Sequence, residues 1–220
     1  MLGFVSSFLF SNNCYLCNKN IGNKKYLCEN CFEKLEQYEF KESLKKVKKY
    51  DELDIKYLFI FKYKKYIRKL ILDYKFNDKS YIGKVFAEYI NRNKLCCRKL
   101  KSYDIIIPVP MSIKNKLLRG YNQTEIIADE ISKKFKIMLM KDGIIKVKKT
   151  KKQSTLNKEE RLSNVIDAYK INEKYISCFE NKKIIIFDDI YTTGATIDEC
   201  KKLFSKLNVK EILILILAKD

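Results

Sequence analysis

The stretch "KKIIIFDDIYTTGAT", Lys182 to Thr196, decides the fold. Ile184 to Phe187 are apolar without a break, which marks a strand buried on both faces rather than one alternating between core and water. Asp188 and Asp189 follow side by side. Then comes a turn dense in hydroxyls around one glycine, Thr192-Thr193-Gly194-Ala195-Thr196. Beyond it, "TIDECKKLFSKL" has the spacing of an amphipathic helix with Ile197, Cys200, Leu203, Phe204 and Leu207 inward. The two acids are therefore expected at the carboxyl end of a buried strand, ahead of a helix.

Outward from this stretch the pattern repeats. "EILILILA" closes the chain as an apolar strand, and "YDIIIPVP" is another, ending in a turn with both prolines. "NQTEIIADEISKKF" spaces Ile126, Ile127, Ile131 and Phe135 as a helix does. "DIKYLFIFKY", "GIIKVKK" and "IDAYKI" read as strands, while "KKYIRKLILDY" and "KSYIGKVFAEYINRN" read as helices. "TKKQSTLNKEERLSN" is a polar loop leading into a short helix. Buried strands alternating with helices predict an α/β fold with a parallel, doubly wound sheet.

In open α/β sheets, ligands bind outside the carboxyl ends of the strands. A helix start there offers unpaired N–H groups and a positive dipole end, and Gly194 permits close backbone approach. With the hydroxyls of Thr192, Thr193 and Thr196 this makes a phosphate cradle without a lysine. Two acids would repel phosphate, so they must face something else, and a vicinal diol suits a carboxylate. A diol a few ångströms from a phosphate describes a ribose 5-phosphate, and the neighbouring acid can hold Mg²⁺. The stretch is neither a GK[ST] phosphate loop nor a GxGxxG turn. The plainer alternative is an ordinary strand-to-helix loop capped by threonine.

Composition bounds the rest. The chain has 220 residues, 46% of them hydrophobic, enough for one good core plus a small appendage. No apolar run approaches the roughly 20 residues of a membrane span. "MLGFVSSFLF" has no basic residue ahead of it and no small-residue cleavage site after it, so a short packed helix is expected there, not a signal peptide. Histidine is absent, which excludes imidazole bases and His-ligated metals. The formal charge is +19, carried mostly by lysine with only five arginines. That excess is either solvated surface or an attraction to polyanions such as nucleic acid. The clusters "KKVKKY" and "KYKKYIRK" interleave Lys with Tyr, which suits a single-stranded backbone plus stacked bases.

Cys14-x-x-Cys17 and Cys28-x-x-Cys31 form two knuckles ten residues apart. Four thiolates can close a tetrahedral, structural zinc site with no open position. Two disulfides or a redox pair are the rivals, but nothing in the sequence argues for export. Cys96, Cys97, Cys178 and Cys200 lack ligand spacing.

"IIIFDDIYTTGAT" resembles the phosphoribosyl-pyrophosphate (PRPP) motif of type I phosphoribosyltransferases. "LILDYKFND", "IIIPVPMSIKNKLLRGYNQTEIIADEI", "TKKQSTLNKEERLSNVIDAYKI" and the four cysteines resemble the ComF family, over nearly the whole chain. The resemblance implies a zinc-finger module over residues 1–40 and a phosphoribosyltransferase-like domain over 41–220. It implies that Asp188 and Asp189 meet the ribose hydroxyls, Thr192, Thr193, Gly194, Ala195 and Thr196 wrap the 5-phosphate, and Mg²⁺ accompanies PRPP. Val109 and Pro110 fall where such enzymes hold pyrophosphate, with Arg119 close behind. Gln153 and Arg161 fall in the loop that closes over PRPP, Arg161 being equally readable as a surface pair with nearby acids. The family implies a cytoplasmic protein of natural competence, handling single-stranded DNA alongside a competence helicase or other DNA-processing partner. A working transferase on a small acceptor, or a PRPP-responsive protein without turnover, are the other expectations.

Overall fold

The computed structural model describes residues 13–22, 26–40, 44–46, 53–148 and 158–220. In chain order the elements are α1 (Glu29–Glu36), β1 (Leu44–Lys46), β2 (Ile55–Lys62), α2 (Lys65–Phe76), α3 (Tyr81–Arg92), α4 (Lys94–Leu100), β3 (Ile105–Pro108) and α5 (Ile113–Arg119). There follow α6 (Gln123–Phe135), β4 (Met138–Leu139), β5 (Ile144–Lys146), α7 (Lys158–Val165), β6 (Tyr169–Ile171), a 3-10 helix (Glu173–Phe179), β7 (Lys183–Tyr191), α8 (Ala195–Lys202) and β8 (Glu211–Lys219).

Six strands form one sheet in the order β1-β2-β8-β7-β3-β4. Only β1, at one edge, runs antiparallel to its neighbour; the other five are mutually parallel. The expected α/β doubly wound sheet is therefore present. Its central strands bury both faces because successive side chains point opposite ways. Ile184, Ile186, Ile212, Ile214 and Ile216 enter one core with Ile197, Cys200 and Phe204. Ile185, Phe187, Leu213, Leu215 and Leu217 enter the other with Ile67, Ile71, Tyr89, Ile127 and Ile131. Each such side chain, fully buried, contributes about 1.5–3 kcal/mol.

The helices carry matching stripes. In α3, Ile82, Val85, Phe86, Tyr89 and Ile90 are buried, a spacing that lines one helical face. Asn122 starts α6, its side chain accepting from the Thr124 amide at 3.3 Å. The short α5, not expected from the sequence, begins at Ser112, whose hydroxyl accepts from the Asn115 amide, and stops at Gly120, φ 75°.

The structure corrects several boundaries. The strand "KKIIIF" continues to Tyr191, so Asp188 and Asp189 lie within β7 and not beyond its end. β5 and β6 do not join the parallel sheet; they pair antiparallel with each other. α8 ends at Lys202, and Phe204 is buried from the turn that follows it, with Leu203 and Leu207 only partly covered. Lys94–Leu100 is a helix and Met138–Leu139 an edge strand that the sequence pattern did not mark. The expected N-terminal helix, much of "KKVKKY", Gln153 and the side chain of Arg161 lie outside the described residues.

Candidate functional site

Two places bring chemistry-bearing residues together: the end of β7 with the start of α8, and the four-cysteine knuckles.

β7 ends at Tyr191, and Thr192–Gly194 turn the chain into α8. Gly194 sits at the helix start with φ 82° and, having no side chain, caps none of the first amides of α8 itself. A Cβ built on Gly194 would lie 2.8 Å from Cζ of Tyr191, so any side chain there must displace the Tyr191 ring, and the left-handed φ itself favours glycine. Thr192 is exposed, Thr193 and Thr196 are half-buried, and Ala195 is buried. The Ala195 amide donates to Thr193 Oγ1 at 3.4 Å.

Asp188 and Asp189, being adjacent on a strand, point to opposite faces. Asp189 meets Lys75 of α2, Oδ2 to Nζ 2.7 Å, with both side chains mostly buried. Arg119 also feels its charge. Asp188 turns toward the face of Cys200 and Tyr169. Its Oδ1 accepts from the Asp189 amide at 2.8 Å. Burial, and then the neighbouring Asp189 charge, push the Asp188 carboxyl up to about 7, against the pull of that hydrogen bond, Lys75 and Lys146. Lys146, at the end of β5, is held below the usual lysine range by burial, with Asp188 opposing.

The turn after β3 is tied to the same edge. The Val109 amide donates to the Phe187 carbonyl at 2.8 Å, and the Val109 carbonyl accepts from Thr124 Oγ1 at 3.0 Å. Val109 thus has its own peptide groups engaged, and Pro110 carries no N–H. Arg119 ends α5 half-buried, donating Nη1–H to Gln123 Oε1 at 3.0 Å, its guanidinium 4.9 Å over the Phe76 ring. Asp188, Asp189, Val109, Arg119 and the 192–196 loop are thus gathered at one edge. Lys75, Phe76 and Lys146 join them. Lys75 and Lys146 lie inside the quoted "LILDYKFND" and "GIIKVKK", but nothing local singles either out among 46 basic residues.

At the other site, Sγ of Cys14, Cys17, Cys28 and Cys31 all lie within 4.8 Å of one another. Cys17 and Cys28 sulfurs are 3.6 Å apart, and all eight cysteines of the chain are unbridged. Zinc–sulfur bonds of about 2.3 Å in a tetrahedron place sulfurs about 3.8 Å apart, so the four-cysteine set can hold one structural zinc. The knuckle turns suit this role: the Asn18 amide donates to the Cys14 carbonyl at 2.8 Å, and the Cys31 amide points at Cys28 Sγ at 3.4 Å. The segment is docked, not tethered. Phe32 stacks on Tyr89 at 4.8 Å, Arg92 lies 4.0 Å over Phe32, and the Leu27 amide donates to Glu88 of α3 at 3.2 Å.

Among the described residues no helix is long and apolar enough to cross a membrane. No protein-family model matches the chain. It is 29% identical over 215 residues to competence protein F of Haemophilus influenzae, covering 94% of this chain and 90% of that protein. It is 29% identical over 153 residues to competence protein ComFC of Streptococcus pneumoniae, covering 70% of this chain and 63% of that one. The DNA utilization protein YhgH of Escherichia coli O157:H7 is 26% identical over 137 residues, 61% of this chain and 59% of its own length. With similarity along nearly its full length and the four-cysteine cluster in place, the chain is a homologue of the competence proteins F and ComFC.

Proposed function

We propose that the edge formed by β7, α8 and the turn after β3 binds PRPP with Mg²⁺, in a protein serving DNA uptake or utilization. The observation that carries this is the loop Thr192–Gly194, with its left-handed glycine, opening α8 directly after a desolvated acid on β7. Asp188 and Asp189 would hold the ribose hydroxyls and the metal. Thr192, Thr193, Gly194, Ala195 and Thr196 would hold the 5-phosphate. Arg119 would neutralise pyrophosphate, with Val109 and Pro110 shaping that turn; Gln153 and Arg161 are the further contacts this reading assigns. Mg²⁺, when bound, supplies charge neutralisation of the pyrophosphate. Residues 1–40 would be a zinc module and 41–220 the phosphoribosyltransferase-like domain, in a cytoplasmic protein. The names of the relatives support a setting in competence and DNA utilization. Single-stranded DNA, and a helicase or other DNA-processing protein, are the partners this reading assigns.

Calorimetry of PRPP with Mg²⁺ tests the reading: wild type should bind, and the double variant Asp188→Asn, Asp189→Asn should not. Equal affinity in the two would overturn it. Release of pyrophosphate on adding candidate amines or bases would make the protein a transferase. Binding without release across such a panel would make it a PRPP-responsive module.

A further inference from the structure

The 192–196 loop contains no lysine, but the fold delivers one from elsewhere. Lys146 ends β5 directly opposite Tyr169 of β6, and its Nζ lies 5.3 Å from the Tyr169 ring centroid. Tyr169 is buried in one cluster with Ala195, Ile197 and Cys200, and Thr196 acts on its phenol, which sets the β5–β6 ribbon against the first turn of α8. Lys146 is therefore placed beside the loop by two linked contacts. It is half-buried, yet it makes no ion pair among the described residues; Asp188 attracts it from beyond ion-pair distance. The contrast with Lys75, held by Asp189 at 2.7 Å, is direct. A desolvated ammonium without a counter-ion destabilises a fold, and an arriving anion relieves that cost.

We propose that Lys146 is the cation that holds the phosphate of a phosphorylated ribose against the Thr192–Thr196 loop, with Tyr169 positioning it. This rests on the PRPP reading above and adds the residue which that loop lacks. Its ammonium would donate charge-assisted hydrogen bonds to phosphate oxygens from the side opposite the backbone amides of α8.

The test is calorimetry with ribose 5-phosphate, and with PRPP plus Mg²⁺, on wild type, Lys146→Met and Lys146→Arg. Lys146→Met should bind both about 10- to 100-fold more weakly, the range for one hydrogen bond to a charged group. Lys146→Arg should recover part of the loss. The melting temperature of Lys146→Met should equal or exceed that of wild type, where a merely structural lysine would lower it. Acylation of lysines in wild type, read by mass spectrometry, adds a test needing no variant: saturating ribose 5-phosphate should slow labelling of Lys146. If wild type binds both ligands and Lys146→Met binds them equally, or if bound ligand leaves Lys146 labelling unchanged, the assignment of Lys146 falls and the PRPP reading stands. If wild type binds neither ligand, the PRPP reading falls and takes Lys146 with it.

Discussion

Asp188 shows how one carboxyl can report on its surroundings. An acid raised to about 7 holds in the folded state a proton that the unfolded chain releases near pH 4. Its contribution to stability therefore falls as pH rises from about 4 to about 7, and is flat above that. Asp188→Asn keeps the acceptor for the Asp189 amide but cannot ionise. Relative to wild type it should gain stability across that window, reaching roughly 1–3 kcal/mol at pH 8. Urea melts at a series of pH values check this; a constant difference between pH 4 and 8 would contradict it. Metal binding needs the ionised form, so PRPP affinity in Mg²⁺ should rise with pH up to about 7 and then level off. Gly194→Val combines a β-branched residue at φ 82° with a clash against Tyr191. It should lower stability by about 1–3 kcal/mol and weaken PRPP binding, measured by melts and calorimetry together.

Among the elements, the cysteine segment and the last turn of α2 matter most. Cys14, Leu27, Cys28, Cys31, Phe32 and Leu35 belong to the same apolar cluster as Phe61, Ile67 and Tyr89. The described residues of this segment have too few side chains to bury a core of their own, so the face of α3 supports them, and a zinc on the four cysteines would add to that support. Protein purified without added metal should contain about one zinc per chain. Chelation should loosen the segment first, exposing Phe32 and the face of α3 around Tyr89, before the sheet melts. Hydrogen exchange with and without chelator would show this, and full protection in metal-free protein would contradict it. In α2, Lys75→Ala leaves Asp189 without its ion-pair partner in a mostly buried place. Such removals cost more than an exposed pair is worth, about 1–3 kcal/mol here.

At the scale of the whole molecule the formal charge of +19 governs long-range attraction. Single-stranded DNA should bind with a steep salt dependence, each neutralised phosphate adding roughly −0.7 to the slope of log K against log salt. Stacking is a separate matter. Tyr66 already has Lys34 Nζ 4.4 Å from its centroid and Tyr38 beside it, and Tyr63 is half-buried. Tyr66→Ala should therefore change DNA affinity little. A large, salt-resistant loss in that variant, measured with heparin as competitor, would show that the ring leaves its place to stack on a base.

The sequence alone determined the long central strands and their parallel run. Runs such as Ile184–Phe187 and Ile212–Leu217 are apolar at every position, and only a strand covered on both faces can bury them. It also determined the four-cysteine knuckles, because CxxC brings two sulfurs to one turn, and the turn at Gly194, where a hydroxyl-rich glycine loop meets a helix. The short elements were not legible. α5 exposes Ile113, Leu117 and Leu118, so no buried stripe marks it, and β5 and β6, three residues each, do not show by periodicity which strand they pair with. Tertiary structure decided the rest of the site. Adjacent acids read alike in a sequence, but on a strand they face opposite ways, so Asp189 met Lys75 while Asp188 turned toward Tyr169 and Lys146. Those lysines are 114 and 42 residues from the acids they approach (189 − 75 and 188 − 146). What brings them close is the packing of α2 and of the β5–β6 ribbon against the carboxyl edge of the sheet, and no local pattern encodes a contact at that separation.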